Sequence, residues 1–538
     1  MRKKLLVILL SGTMLTGFIS GCGISGNEQE GGSSQEAVSS ADKDSVIVTM
    51  PISSEPEFGF DPAYGWGSGE NVHEPLIQST LTATTTDLKI ENDLATDYSV
   101  SEDGLTWTVH IRDDVYFTDG ERLTAEDVAF TYNNCRDKNN LNDFTMLKEA
   151  VAVDDITVEF QMNTPFTIWP YTMAGVGIVP EHGYDESYGE HPVGSGRYIM
   201  KQWDKGNQII FEANPDYYGE EVKIKKLTVL FMSEEESLEA TKEGQVDVAH
   251  TAATYADQEI TGYNLQDFVT VDTRGFNLPT VKEKDEDGCL IGNDVTSDLA
   301  IRRAINIGID RQELVDKVLG GYGTPAYSVC DKTPWYQVEA NVKYDLEEAK
   351  QILEDAGWVE DSEGCRERDG LKAEFTLIYD SSDSVRQELA QELARQLKKI
   401  GIKVKTESTD WNTYDEKSQS QAVIWGWGNH TPMEIYNIYH TDKDGKYAKY
   451  SPYSNPVVDQ YLDEALGAPS LETSYEYWQK AQWDGETGIN GDLPWVWLCN
   501  VDHLYFVKDD LEVGEQKVHP HGQGWSMVNN VDQWEWIS

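Results

Sequence analysis

Between Leu94 and Tyr132 the chain reads LATDYSVSEDGLTWTVHIRDDVYFTDGERLTAEDVAFTY, a stretch whose spacing admits one local fold. Leu105, Trp107, Val109 and Ile111 alternate with Thr106, Thr108, His110 and Arg112, the period of a strand with one dry and one wet face. Ser101-Glu102-Asp103-Gly104 and Asp119-Gly120 supply turn residues on either side. Thr124 then opens a helix, with Asp127 at the position from which a carboxylate reaches back to the cap. A strand, a turn and a helix start are therefore expected here.

The same residues resemble the signature of the family 5 extracellular solute-binding proteins, receptors of ABC importers for peptides, nickel and related solutes. That signature runs roughly LA-x-x-W-x-x-S-x-D-G-x-T-(Y/W)-T-F-x-(I/L)-R-x-x-V-x-F-x-D-G-x-x-x-(T/D)-A-x-D-V, and Tyr98 stands where its first Trp falls. Further segments carry the resemblance along the chain. Phe60-Asp61-Pro62 with His73-Glu74-Pro75-Leu76, HPVGSGRY from His191, NPDYYG from Asn214 and GQVDVA from Gly244 are similar to family segments; His73 replaces a tyrosine, and Ser195 and Arg197 are departures. Arg302-Arg303-Ala304-Ile305-Asn306 and DLEEAKQILEDAG from Asp345 fall on two helices, over 298–309 and 345–357, with a helix capped by Asp310 between them. Strands are expected at 45–50, 157–161, 177–179, 227–232, 375–379 and 402–406. Ser384 opens a helix between the last two, which makes a parallel strand-helix-strand unit.

The resemblance implies an α/β fold of the type II periplasmic-binding-protein kind (cluster C), two lobes plus an inserted domain, with the ligand cleft between the lobes and capture by hinge closure. Its expected organisation is lobe I from 45–80, 189–270 and 495–538, an inserted domain at 81–188 and lobe III at 271–494. Ahead of it, Arg2, Lys3 and Lys4, an apolar run to Phe18 and small residues before Cys22 read as a signal peptide over 1–21. Cys22 resembles a lipobox cysteine, the site of lipidation. Residues 22–44 are rich in Gly, Ser, Glu and Gln, the composition of a flexible tether.

A formal charge of −52, from 43 basic and 95 acidic residues, repels nucleic acid and anionic lipid, so neither is an expected partner. Beyond Cys22 the chain has Cys135, Cys289, Cys330, Cys365 and Cys499, an odd set without a CxxC. A Cys289–Cys330 bridge is left open. No GxSxG, HExxH or P-loop occurs, and TDKDGK at 441–446 lacks the EF-hand spacing. An extracellular hydrolase is the distant third reading, and no catalytic residue is expected.

Candidate ligand residues cluster in two loops. Tyr64 and Trp66 flank a glycine-rich turn that lines the cleft in relatives, and the segment from Ile424 to Tyr436, IWGWGNHTPMEIY, resembles the family's cleft segment. There an aspartate four residues before the proline pairs with a peptide's amino group; this chain has Gly428. Glu434 offers a substitute from beyond the proline. Trp425 and Trp427 share one face of a strand, directed to cleft or to core. His430 and His73 suit a transition metal carried by a small chelator, although either is also accounted for by an ordinary hydrogen-bonded role. His519-Pro-His521 offers two more imidazoles in what reads as a surface tail. The expected ligand is thus nickel or another metal chelate, with a di- or oligopeptide as the alternative. A metal would be cargo, not a cofactor. The expected partners are ABC permease and ATPase subunits, with the receptor a monomer on the extracytoplasmic face of the membrane, held by its lipid anchor.

Overall fold

The computed structural model describes residues 43–64, 76–138, 144–286, 288–381, 383–410, 413–441 and 450–537. The expected signal peptide, Cys22, nearly all of the tether, Trp66, His73 and most of the TDKDGK segment lie outside the described residues.

The first strand, β1 (Ser45–Pro51), inserts Val46, Val48 and Met50 into one apolar cluster and leans Ile47 on another, so both of its faces are covered. Each fully buried aliphatic side chain contributes about 1.5–3 kcal/mol relative to exposure. The chain then builds a four-stranded antiparallel sheet from β2 (Ala95–Val100), β3 (Thr106–Ile111), β4 (Leu147–Asp154) and β5 (Thr157–Met162), in the order β2-β3-β5-β4. Trp107, Val109 and Ile111 of β3 are buried and the residues between them half-buried, the alternation its spacing predicts. Helix α1 (Ala125–Asp137) packs beside it; Asp127 Oδ2 accepts from Thr124 N at 2.9 Å in the expected capping box. The short helix α2 (Trp169–Ala174) follows.

Gly177–Val179 is not a strand. Ile178 N donates to Ser79 O and Val179 N to the Thr131 hydroxyl, so consecutive residues bond to different elements and no ladder forms.

Returning to β1, the chain adds β6 (Tyr198–Asp204), β7 (Gln208–Ala213), β8 (Lys226–Met232), α3 (Glu234–Lys242), β9 (Val248–Thr251) and β10 (Tyr263–Phe268). It then crosses to a second sheet through β11 (Thr273–Asn277), followed by α4 (Leu299–Gly308), α5 (Arg311–Val318), β12 (Gly323–Pro325), α6 (Leu346–Asp355), β13 (Glu374–Asp380), α7 (Ser384–Leu397), β14 (Lys403–Thr409) and β15 (Ala422–Trp427). Helices α8 (Met433–Tyr439), α9 (Pro456–Leu466) and α10 (Leu471–Gln482) precede β16 (Trp495–Val501) and β17 (His503–Lys508). The lobes are a seven-stranded sheet, β10-β17-β9-β1-β8-β7-β6, and a six-stranded sheet, β12-β16-β11-β15-β13-β14. β13 and β14 pair in parallel across α7, as the strand-helix-strand reading requires.

Two expectations need correction. The cap of α7 is Asp383, whose Oδ1 accepts from Arg386 N at 2.9 Å, so Ser384 is the first helical residue and not the cap. A lobe boundary at 494/495 is also misplaced, because β16 pairs with β11 and β12 in the six-stranded sheet and the return falls at Asp502. The lobes are consequently joined by two adjacent crossings, 269–272 and Asp502. These are tied by Thr270 Oγ1 donating to Val501 O at 2.7 Å and Val501 N donating to Asp272 O at 2.8 Å.

Candidate functional site

Strand β15 carries the expected tryptophans on the face opposite helices α4 to α7. Trp425 and Trp427 are buried, with ring centroids 6.2 Å apart, and both pack on Tyr450. The neighbouring β16 adds Trp495 and Trp497, stacked at 5.2 Å, and Trp427 meets Trp495 edge-on at 6.2 Å. Four indoles thus form one aromatic shelf, part of the apolar cluster that continues into the inserted domain. The shelf is core packing by burial, yet its polar atoms divide in two. Trp425 Nε1 donates to Asn277 Oδ1 at 3.3 Å and Trp497 Nε1 to Tyr439 Oη at 3.0 Å. Trp427 Nε1 and Trp495 Nε1 are buried with no partner among the described residues. A buried donor left unpaired costs about 1–3 kcal/mol, and Trp107, Trp169 and Trp478 of the same cluster have indole N–H groups in the same state.

The loop after β15 is closed from within. Glu434 accepts from Gly428 N at 2.8 Å and from Asn429 N at 3.2 Å, which places its carboxylate on main-chain amides. Gly428 has φ of 151°, and a β-carbon there would lie 2.2 Å from Val271 O, so the position of the family aspartate has no room for a side chain. Gly426 answers to a similar demand: its missing β-carbon makes room for His521, Arg386 and Arg274. The glycines of the WGWG run serve close packing of this loop against the crossings.

His430 is only 8% exposed; its Nε2 has no partner among the described residues while its ring interacts with the Val518 main chain. Burial, and then the Lys517 ammonium, push its imidazole down to about 4, so it is neutral at physiological pH. Tyr64 is 41% exposed, with the Lys138 ammonium 4.9 Å above its ring. Among the described residues no group of three or more His, Cys, Asp and Glu is arranged to hold a metal. All five described cysteines are unpaired, Cys289 exposed and the others buried, so the open question of a Cys289–Cys330 bridge is answered against it.

The tail is not at the surface. His519 is fully buried and stacks on Phe268 at 5.4 Å, and His521 bonds to Asp272. Asp272, Arg274, Trp495 and Trp497 were not marked by any motif. The alternation in WVWLCNV was the one available signal for the two tryptophans, while nothing local to Asp272 announces that three strands meet around it.

The sequence pattern of the family described as bacterial extracellular solute-binding proteins, family 5 (middle), matches residues 89–449. Protein XP55 of Streptomyces lividans is 33% identical over 484 residues, covering 86% of this chain and 85% of its own length. Oligopeptide-binding protein AppA of Bacillus subtilis is 27% identical over 569 residues, covering 100% of this chain and 99% of its own. The crystal structure of NikZ from Campylobacter jejuni in complex with Ni(L-His) superposes with a TM-score of 0.75 at 23% identity, over 92% of this chain and 100% of that one, and shares the two-lobed α/β fold. The pattern match across both lobes and the inserted domain, together with these near full-length relatives, leads to one conclusion: the chain belongs to family 5 of the bacterial extracellular solute-binding proteins.

Proposed function

We propose that this chain captures oligopeptides between its lobes and hands them to a membrane permease. Its broader role is that of its family: a non-catalytic, extracytoplasmic receptor of an ABC importer, working with permease and ATPase subunits. The narrower reading rests on the two buried indole N–H groups of Trp427 and Trp495. A peptide brings a carbonyl acceptor at every residue, and its main chain can close both donors at once. The full-length likeness to an oligopeptide-binding protein supports the same reading. Tyr64 and Trp66, of the glycine-rich loop that lines the cleft in relatives, are proposed as the rest of the ligand surface. Cys22 would carry the lipid anchor of a monomeric receptor.

One observation favours a second reading. His430 Nε2 is buried and unpartnered, and an imidazole nitrogen in that state suits a metal ion that arrives already chelated. His73 would be its companion ligand. The two readings separate in one titration by calorimetry with a peptide mixture and with nickel plus histidine. The peptide reading expects binding of peptides that weakens roughly tenfold in Trp427→Phe, the loss of about one hydrogen bond, and is unchanged in His430→Ala. Nickel–histidine binding that disappears in His430→Ala, with no peptide binding by the wild type, would reverse the choice.

A further inference from the structure

Four of the chain's ten histidines, His430, His503, His519 and His521, gather at the crossings between the lobes. Two of them form a continuous hydrogen-bonded chain. His503 Nε2 lies 3.2 Å from Asp272 Oδ2, His503 Nδ1 lies 3.1 Å from His519 Nδ1, and His519 Nε2 lies 3.3 Å from Gln516 Oε1. Asp272 belongs to the first crossing, His503 follows the second, and His519 is in the C-terminal tail. The main chain of that tail is already laced to the first crossing, with His519 N donating to Val269 O at 3.0 Å and Val271 N donating to His519 O at 2.8 Å.

Each end of this chain is an acceptor. Asp272 is a carboxylate, bonded on its other side by Arg274 and His521. At the far end the orientation of Gln516 is locked. Its Nε2 donates to Val513 O at 3.1 Å and to Asn530 Oδ1, and the Asn530 amide is itself oriented by donating to Val513 O at 2.8 Å and Glu515 O at 2.9 Å. Main-chain carbonyls accept only, so flipping either amide would set acceptor against acceptor. Gln516 Oε1, which also accepts from Asn529 Nδ2 at 3.1 Å, therefore faces His519 Nε2 as an acceptor. Both Nε2 atoms must donate, and the central Nδ1···Nδ1 contact requires one further hydrogen. That makes three protons on two rings that hold two when neutral.

We infer that His503 and His519 share one extra proton, a single imidazolium that pins both interlobe crossings to the C-terminal tail. The proton is taken up from water, and its loss leaves two lone pairs facing each other or breaks the contact to Gln516 or to Asp272. Each outcome removes one link of the chain that holds the crossings to the tail, at the point about which the lobes turn. Opening of the unliganded receptor is thereby linked to pH, and this holds whichever solute it carries.

Titratable and charged groups face the pair from every element packed against it. Burial and the neighbouring imidazoles of His503 and His430 push His519 well below the usual range, while His503 stands between Asp272 and Asp502. Asp502 is raised by burial and faces Lys332, Asp267 and His503. On the other side of Asp272 stand Arg274 and His521, then Arg386 with Asp383; Lys517 stands beside His430. Burial pushes the Cys499 thiol, which also faces Asp272, up to about 12 and keeps it neutral.

Nuclear magnetic resonance of the full-length chain with 15N-labelled histidine, titrated from about pH 5.5 to 8.5 around the ordinary imidazole midpoint, tests the inference directly. Signals are assigned with His503→Gln and His519→Gln. The expected result is one ring of the pair with both nitrogens protonated at the acid end and a joint shift of both rings as the proton leaves. Two neutral rings throughout, or an imidazolium confined to another histidine, would overturn it. Small-angle scattering of ligand-free protein over the same range should show the lobes separating more in wild type as pH rises, and no such trend in His519→Phe, which retains a ring against Phe268 without the bonding nitrogens. If that variant does not fold, the wild-type resonance titration decides alone.

Discussion

Gly428 lies so close to the first interlobe crossing that a β-carbon on it would fall 2.2 Å from the carbonyl oxygen of Val271. Its φ of 151° is also one that side chains resist. Strain of about 1–3 kcal/mol from the backbone alone, before any overlap, should make Gly428→Ala markedly less stable. The expected outcome is a lower Tm and a lower urea midpoint for Gly428→Ala, and a further drop for Gly428→Asp, which restores the family acid. An unchanged midpoint in both would mean that the loop can move off Val271 freely.

Trp425 and Trp427 should respond differently to the loss of their N–H. Trp425→Phe forfeits the bond to Asn277 and is expected to lower stability by about 1 kcal/mol, measured by denaturant unfolding. Trp427→Phe removes a donor that has no partner among the described residues, so little stability should be lost while ligand affinity falls. Equal effects on both quantities in the two variants would remove the basis for placing a ligand acceptor at Trp427.

Two buried histidines should set the acid limb of stability. Burial pushes His250, which bonds to Thr49 Oγ1 at 2.9 Å, and His430 down to about 4. An unfolded imidazole titrates near 6.5, so below that pH the unfolded chain binds protons that the native one refuses. Each histidine's contribution, about 3 kcal/mol at most, is complete above about pH 6.5 and is lost as pH falls toward 4. His430→Gln should make the decline of Tm between those limits shallower.

Asp331 acts in the opposite sense. Burial raises its carboxyl to about 6, Oδ2 accepts from Tyr327 N at 2.9 Å and Oδ1 has no partner among the described residues. Its native pKa is above the unfolded value, so the ionised form is destabilising above pH 6 and that penalty fades as pH falls to the unfolded midpoint. Asp331→Asn should therefore raise Tm at pH 8 by the equivalent of about 1–2 kcal/mol and give little gain near pH 4. A gain independent of pH would assign the effect to packing instead.

Cys22 precedes the described body, and its proposed acylation is checked by fractionation. Cys22→Ala should move the protein from the membrane fraction to the soluble one, without changing ligand affinity. Retention at the membrane would place the anchor elsewhere.

Local order was legible wherever neighbours in the chain impose it. The alternation from Leu105 to Ile111, the Thr124–Asp127 capping box, the Asp310 cap and the parallel unit around α7 each depend on residues within a few positions of one another. Gly177–Val179 reads as a strand because its residues are apolar, and only the choice of partners, Ser79 and Thr131, denies it a ladder. The Asp383 cap was missed by one position because serine and aspartate both serve that role.

What the sequence by itself determined is the family, the strand and helix order and the acidic, receptor-like character of the chain, since each follows from spacing or from summed charge. Only the tertiary structure decided what the candidate residues do. It committed Glu434 to main-chain amides, turned the WGWG glycines toward the crossings, buried His519 and bonded His521 to Asp272 in a tail that reads as exposed. The reason is physical: desolvation and hydrogen-bond completion depend on segments more than two hundred residues apart, such as Asp272 and His503. No local pattern records which of those segments will meet.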